Sequence, residues 1–532
     1  MIFRKILLLR FGLAFISMYF VFPSALLAGF PPIKPWYQQS VILKTYQQSY
    51  DWRTPWEKRE ISTLTGMAIV VSLDLSTDTS ISETNSFKNL FLLTTAEMVA
   101  DATLIEATRK GNRSPFQAKL VLMDYAANLA LLKINDAIFW ENLRPVEWSS
   151  VKENGPADVK EIFSLKLNSQ QKWEFESGKI EQMTVGHRDV SDAWFPLLKL
   201  SGVSFSGQGY PLLQDNETVG MILTAAGGKA KAMPAEMLYE FLQHAKSSPY
   251  LSLAHRGFSW RKLPQHSAAE YFQIPAETPG IWISRVLPFG TGSEVLKQGD
   301  YITKIGKWPL SYDGKIEHPK WGLALFDLLF LDQLKAGEEL ELSVIRSGKH
   351  LVLKTKVAAY RENGRIVPLK RVGFPPRYVI QGGFLFQELS VNYLRMWGSN
   401  WRTRAPVRLR LFLELNNTVM IPEKNNSAAF PSASNVLSDE HHRIVLVSQV
   451  IPDPLNIGYQ QLSNAVILQI NGQHIRSLED VAAAFKNPID NFHRLDFLPG
   501  SVRMSVILPA NKITEANRRI QNNFRIPKLQ VL

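Results

Sequence analysis

Residues 200–213 read Leu-Ser-Gly-Val-Ser-Phe-Ser-Gly-Gln-Gly-Tyr-Pro-Leu-Leu, a glycine-punctuated stretch between apolar runs at 195–200 and 219–224. Glycine supplies the positive φ that a tight turn between two strands demands. Acyl transfer at such a turn needs an oxygen that a neighbouring base can deprotonate, and a third group that orients the base. Ser204 and Ser206 carry hydroxyls there; Gln208 carries an amide whose nitrogen lone pair is delocalised into its carbonyl. Two further strings frame the chemistry: Leu-Leu-Thr-Thr-Ala-Glu at 92–97 and Asn-Leu-Ala-Leu-Leu at 128–132. A carboxylate such as Glu97, with an ordinary pKa near about 4.3, is poorly matched to a hydroxyl. Asn128 has no charge with which to stabilise an imidazolium.

These strings resemble the catalytic landmarks of the HtrA/Deg-type serine proteases, which keep chymotrypsin's order of histidine, aspartate and serine. In that family the histidine follows Leu-Thr-x-Ala, the aspartate opens Asp-Leu-Ala-Leu-Leu, and the serine lies in Asn-Ser-Gly-Asn-Ser-Gly-Gly-Pro. With Gly209 and Pro211 aligned to the end of the last motif, the resemblance places the three slots at Glu97, Asn128 and Gln208. None of these residues can perform the role its slot implies, so the expectation is a pseudoprotease. The alternative is an active serine endopeptidase of envelope protein quality control, in which Ser204 or Ser206 is activated by a distant histidine such as His187.

The elements that would position these residues are short strands. Apolar segments at 40–45, 66–73, 89–95, 118–123, 129–134 and 161–167 are spaced as in a sandwich or barrel. The resemblance implies a chymotrypsin-like double β-barrel over 40–247. A helical stripe of Met233, Met237, Leu238, Phe241, Leu242 and Ala245 behind Pro234 is expected to close this domain as a helix over 232–246.

Residues 253–358 resemble a PDZ domain of the same family. They contain Pro-Gly-Ile-Trp-Ile-Ser-Arg-Val at 279–286, Lys-Gln-Gly-Asp-Tyr-Ile at 297–302 and a helical-looking segment at 321–334. Arg256, Gly257, Phe258 and Ser259 fall where the family keeps its carboxylate-binding loop, which implies capture of C-terminal peptides as an added strand. Residues 373–525 are similar to the second PDZ-like domain of plant-type Deg proteases, on Tyr-Val-Ile-Gln-Gly-Gly-Phe-Leu-Phe at 378–386 and Ile-Asn-Gly at 470–472. That unit is associated in the subgroup with oligomer contacts. Ser477 with Asp480 predicts a capped helix. Residues 416–440 read as a polar, mobile insertion, and 512–528 as a basic tail. The expected fold class is mainly β, a double barrel followed by two PDZ or PDZ-like domains.

Arg4, Lys5 and Arg10 precede an apolar run at 11–27, the layout of a secretory signal peptide over 1–28, with an uncleaved anchor as the alternative. This points to the periplasm or cell envelope. The absence of cysteine excludes disulfides, thiolate catalysis and cysteine metal sites. The formal charge of +12 loses three basic residues with the signal, leaving +9, and permits association with a membrane surface. No nucleic-acid module, phosphate loop or metal-ligand spacing is present, and His441 and His442 read as a solvated charged cluster. No cofactor or metal is expected. The partners implied are exported proteins or C-terminal peptides, with a trimer-based homo-oligomer as the family's assembly.

Overall fold

The computed structural model describes residues 36–74, 86–111, 114–149, 161–167, 173–186, 193–202, 207–214, 217–263, 266–287, 290–319, 322–360, 366–369, 372–415, 443–498 and 505–532. The signal segment, Ser204, Ser206, His187, the 416–440 insertion and the His441–His442 pair lie outside them.

The chain folds as a mainly β molecule. The first seven strands are β1 (Ser40–Gln47), β2 (Ser62–Ser72), β3 (Leu90–Thr94), β4 (Ala102–Thr108), β5 (Phe116–Gln117), β6 (Lys119–Asp124) and β7 (Leu129–Lys133). They form one sheet in the order β5-β4-β1-β2-β3-β7-β6. Strands β8 (Glu161–Leu167), β9 (Trp173–Gly186), β10 (Phe195–Gly202), β11 (Pro211–Gln214), β12 (Glu217–Ala226) and β13 (Lys229–Pro234) close into a barrel. Of the two barrels expected, the second is closed by hydrogen bonds and the first runs open from β5 to β6 among the described residues.

Alternation decides which residues face which core. On β2, Ile69 and Val71 point into a core shared by both halves, while Ala68 and Val70 point into the first sheet's own core. β3 and β7 repeat this, with Leu93 and Leu131 in the shared core and Leu92 and Leu132 in the other. Phe195, Met221 and Leu223 enter the shared core from the second barrel. Met237, Leu238, Phe241 and Leu242 cap it from the helix Ala235–His244. That helix is shorter than expected, because 232–234 pair as strand β13 before Pro234 caps it.

The next unit carries a five-strand ladder from Phe258–Arg261 through Ile281–Val286, Tyr301–Ile305 and Glu339–Arg346 to Lys349–Lys356. The expected helix over 321–334 is a correction. Gly322–Leu325 pairs with Lys315–His318 as a hairpin, and only Phe326–Asp332 turns helically. Gly322 at φ +60° reverses the chain there, so the apolar run serves as a strand.

The third unit is built on an eight-stranded sheet that includes Tyr378–Gln381, Phe384–Glu388 and Val445–Val450. Ser477 caps the helix Leu478–Ala484, its hydroxyl accepting from the Asp480 N–H at 3.2 Å. The basic tail is a helix, Ala510–Asn523, burying Ile513, Ala516 and Ile520 at helical spacing, followed by a strand Gln530–Val531 that pairs with Tyr378–Gln381. The unit thus runs past residue 525.

Candidate functional site

Three loops bring Glu97, Asn128 and Gln208 together. Thr95 follows β3 and caps the single-turn helix Ala96–Val99, its hydroxyl accepting from the Met98 N–H at 3.3 Å. The first turn of that helix carries Glu97. Asn128 is fully buried at φ +61° in the β6–β7 turn, a left-handed conformation that asparagine tolerates. Gln208 sits between Gly207 (φ +89°) and Gly209 (φ +79°), with its backbone carbonyl accepting from the Met67 N–H at 2.9 Å. A Cβ on Gly209 would lie 1.9 Å from the Met67 carbonyl oxygen, so the loop approaches β2 as closely as glycine allows.

The side chains form one chain of hydrogen bonds. The Glu97 N–H donates to Asn128 Oδ1 at 3.0 Å. Gln208 Nε2 donates to Glu97 Oε2 at 3.3 Å, and Thr95 Oγ1 donates to Gln208 Oε1 at 2.9 Å. Both ends of the Gln208 amide are therefore engaged. Asn128 Nδ2 is buried with no partner among the described residues, the kind of unsatisfied donor that costs about 1–3 kcal/mol. The arrangement has the topology of a nucleophile, base and orienter, but its contacts run from amide to carboxylate and from backbone to amide. Thr95 Oγ1 donates to the Gln208 amide oxygen, not to a base. Thr95, which closes the network, was not singled out in the sequence, although its place beside Glu97 in the Thr-Thr-Ala-Glu string put it at the site.

The loop predicted to bind peptides is largely turned inward. Arg256 is buried and paired with the buried Asp327, and its guanidinium lies 4.3 Å over the Trp194 ring. The Gly257 N–H donates to His255 Nδ1 at 3.1 Å, and its carbonyl accepts from the Leu287 N–H at 2.8 Å. Phe258 is buried and stacked on Phe326 with ring centroids 6.0 Å apart. Of the four residues, only Ser259 is half-buried. Among the described residues, the strand that follows, Phe258–Arg261, pairs on one side only and ends its sheet.

The third unit differs at the equivalent place. Its Gly382-Gly383 loop is held by Asn456 Nδ2, which donates to the carbonyls of Gly382 at 2.9 Å and Ile451 at 2.8 Å. Asn517 Oδ1 accepts from the Gly382 N–H at 2.8 Å. The strand after the loop, Phe384–Glu388, is paired on both sides. The two units thus present different sheet edges.

Among the described residues, no group of three or more metal-ligating side chains converges, and no helix is long and apolar enough to cross a membrane.

Residues 367–530 match the family model described as a PDZ domain. The chain is 22% identical over 505 residues to "Protease Do-like 2, chloroplastic" of Arabidopsis thaliana, covering 92% of this chain and 74% of that protein. It is 24% identical over 286 residues to "Probable periplasmic serine endoprotease DegP-like" of Marinomonas sp., covering 52% of this chain and 56% of that one. Relatives thus include periplasmic and organellar proteases. Among solved structures, "HtrA-type protease AlgW with tripeptide" aligns with a TM-score of 0.45 at 17% identity, over 62% of this chain and 96% of that one. With a mainly β fold and a C-terminal match to a PDZ domain, the chain is similar over most of its length to PDZ-containing serine proteases of the HtrA/Deg type.

Proposed function

We propose that this protein is a catalytically silent HtrA/Deg-type protein. In this reading it binds exported proteins or peptides in the cell envelope, as a chaperone, adaptor or regulator of an active relative. The observation that carries the proposal is the Gln208 side chain, bonded through its nitrogen to Glu97 and through its oxygen to Thr95. A carboxylate and two amides at the slots leave binding as the function the fold can still perform. The single-sided strand Phe258–Arg261 supports peptide addition to the first PDZ unit. The apolar leader of the sequence supports export.

A fluorophosphonate probe tests catalysis. The expected result is an unmodified protein that leaves unfolded casein intact; stoichiometric labelling of one serine, Ser204 or Ser206 included, overturns the proposal in favour of an active endopeptidase. An array of C-terminal peptides tests binding. Retention of a subset supports the adaptor reading, and an array that stays blank refutes it.

A further inference from the structure

The degenerate slot opens into a cavity of about 380 Å³ between the first sheet and the third unit. Its floor includes Glu97 and Gln208, and Phe374 and Arg395 reach it from the third unit. The two units are clamped at its rim, where Asp101 Oδ1 accepts from the Gly373 N–H at 2.8 Å. The β1–β2 connection lines the remaining wall with Tyr50 and Arg59.

Charge distinguishes this cavity from an ordinary seam between domains. Arg59 and Arg395 are both exposed, and among the described residues neither guanidinium has a hydrogen-bond or ion-pair partner. Several less exposed arginines elsewhere are ion-paired: Arg256 with Asp327, Arg346 with Asp300, Arg377 with Glu388 and Arg519 with Asp453. A guanidinium presents a planar fork of donors that matches a carboxylate. The rest of the lining offers different chemistry. The Glu97 carboxylate and the Gln208 and Asn392 amides line it as well; their oxygens have a second acceptor position and the amide nitrogens a second N–H, so they can bond a ligand in addition to, or in exchange for, their partners within the protein. Tyr50 and Phe374 add aromatic faces, and the volume lies at the small end of ligand pockets.

We propose that this cavity binds the carboxyl-terminal two or three residues of a peptide. The free carboxylate lies on Arg59 and Arg395, and the preceding amides on the wall that carries Glu97 and Gln208. An internal segment of a chain would bring no carboxylate to either guanidinium. A simple anion would leave the carboxylate and amide wall unused. The proposal rests on the non-catalytic reading, because a peptide lodged beside a working nucleophile would be cut.

The test uses the full chain and the tripeptide Ala-Phe-Ala as free acid and as C-terminal amide, with sodium acetate as the simple anion, read by calorimetry. The expected result is that the free acid binds, that the amide binds at least tenfold more weakly, and that Arg59→Ala and Arg395→Ala each weaken the free acid at least tenfold. Arg395→Lys should fall between wild type and Arg395→Ala. Both positions are exposed, and unchanged thermal unfolding of the variants would confirm that they fold. Equal binding of acid and amide, binding indifferent to both arginine substitutions, acetate binding as well as the peptide, or no binding at all would each overturn the proposal. Mass spectrometry of the recovered peptide separates the two readings: an intact peptide bound elsewhere sinks the cavity proposal alone, while a cleaved peptide sinks the non-catalytic one.

Discussion

Side-chain chemistry at the slot is set by three bonds: Asn128 to the Glu97 backbone, Gln208 to the Glu97 carboxylate, and Thr95 to Gln208. Gln208→Ser alone restores a hydroxyl but no imidazole, and Glu97 remains the neighbouring group. We expect that variant to stay unlabelled by a fluorophosphonate. The triple variant Glu97→His, Asn128→Asp, Gln208→Ser places base, orienter and hydroxyl in the family's order, and in-gel fluorescence should then show a labelled chain. Labelling of the single variant would mean that the slot already holds a working base. Asn128 tolerates its φ of +61° as either asparagine or aspartate, so this step of the conversion keeps the turn.

At the scale of single elements, two ionisable groups make stability depend on pH. Lys133, at the end of β7, donates to the carbonyls of Phe87 at 2.9 Å and Leu90 at 2.7 Å, and lies 4.4 Å over the Phe91 ring. Burial pushes its ammonium down to about 8. The folded chain therefore holds this proton less tightly than the unfolded one. The penalty is fully present below pH ~8 and disappears as pH rises toward the unfolded value of about 10.4. We expect stability to rise with pH across that window in the wild type and to rise less in Lys133→Met, as measured by urea unfolding at pH 7.5 and 9.5.

Asp453 behaves in the opposite sense. Arg519 donates to it through Nε at 2.9 Å and Nη2 at 2.8 Å, and the Leu455 N–H adds a bond at 2.9 Å. The Arg519 bonds are the main reason its carboxyl titrates below the usual range. A depressed acid contributes stability above its unfolded pKa of about 3.9, which is lost as pH falls through the folded value. Asp453→Asn should lower the unfolding midpoint at pH 7 and flatten the acid limb below pH 4. An acid limb as steep as that of wild type would show that Asp453 does not carry this part of the pH dependence.

Across the whole molecule, the units are joined by contacts far apart in sequence. Asp124 at the end of β6 accepts from the Tyr250 hydroxyl at 2.7 Å and the Ser252 hydroxyl at 2.6 Å, fastening the segment that leads into the second unit. Trp56, from the β1–β2 connection, meets Tyr378 edge-on at 6.0 Å, and Trp52 packs against the Leu389–Trp401 core of the third unit. Each partly buried indole is worth about 2 kcal/mol of apolar burial. Replacing both by alanine should release the third unit. Small-angle scattering would then give a larger radius of gyration, and calorimetry would show loss of tripeptide binding in the cavity. An unchanged radius would mean that the Asp101–Gly373 contact suffices to hold the units together.

Several features were legible in the sequence because they depend on residue identity or short-range periodicity. The apolar run at 66–73 marked a strand, and Ser477 marked a helix start. The amide at Gln208 ruled out a nucleophile at that residue whatever the fold. Local pattern failed at 321–334, where an apolar run became half of a hairpin, and at 510–523, where basic residues obscured a stripe of Ile513, Ala516 and Ile520. Only the tertiary structure decided that the Gln208 amide is satisfied at both ends, by residues 111 and 113 positions away. The same is true of Arg256, which turns inward to Asp327 and Trp194, and of the sheet edge that stays open at Phe258–Arg261. Side-chain type is fixed residue by residue; which donors meet which acceptors, and which strand lacks a neighbour, depends on packing between segments far apart in the chain.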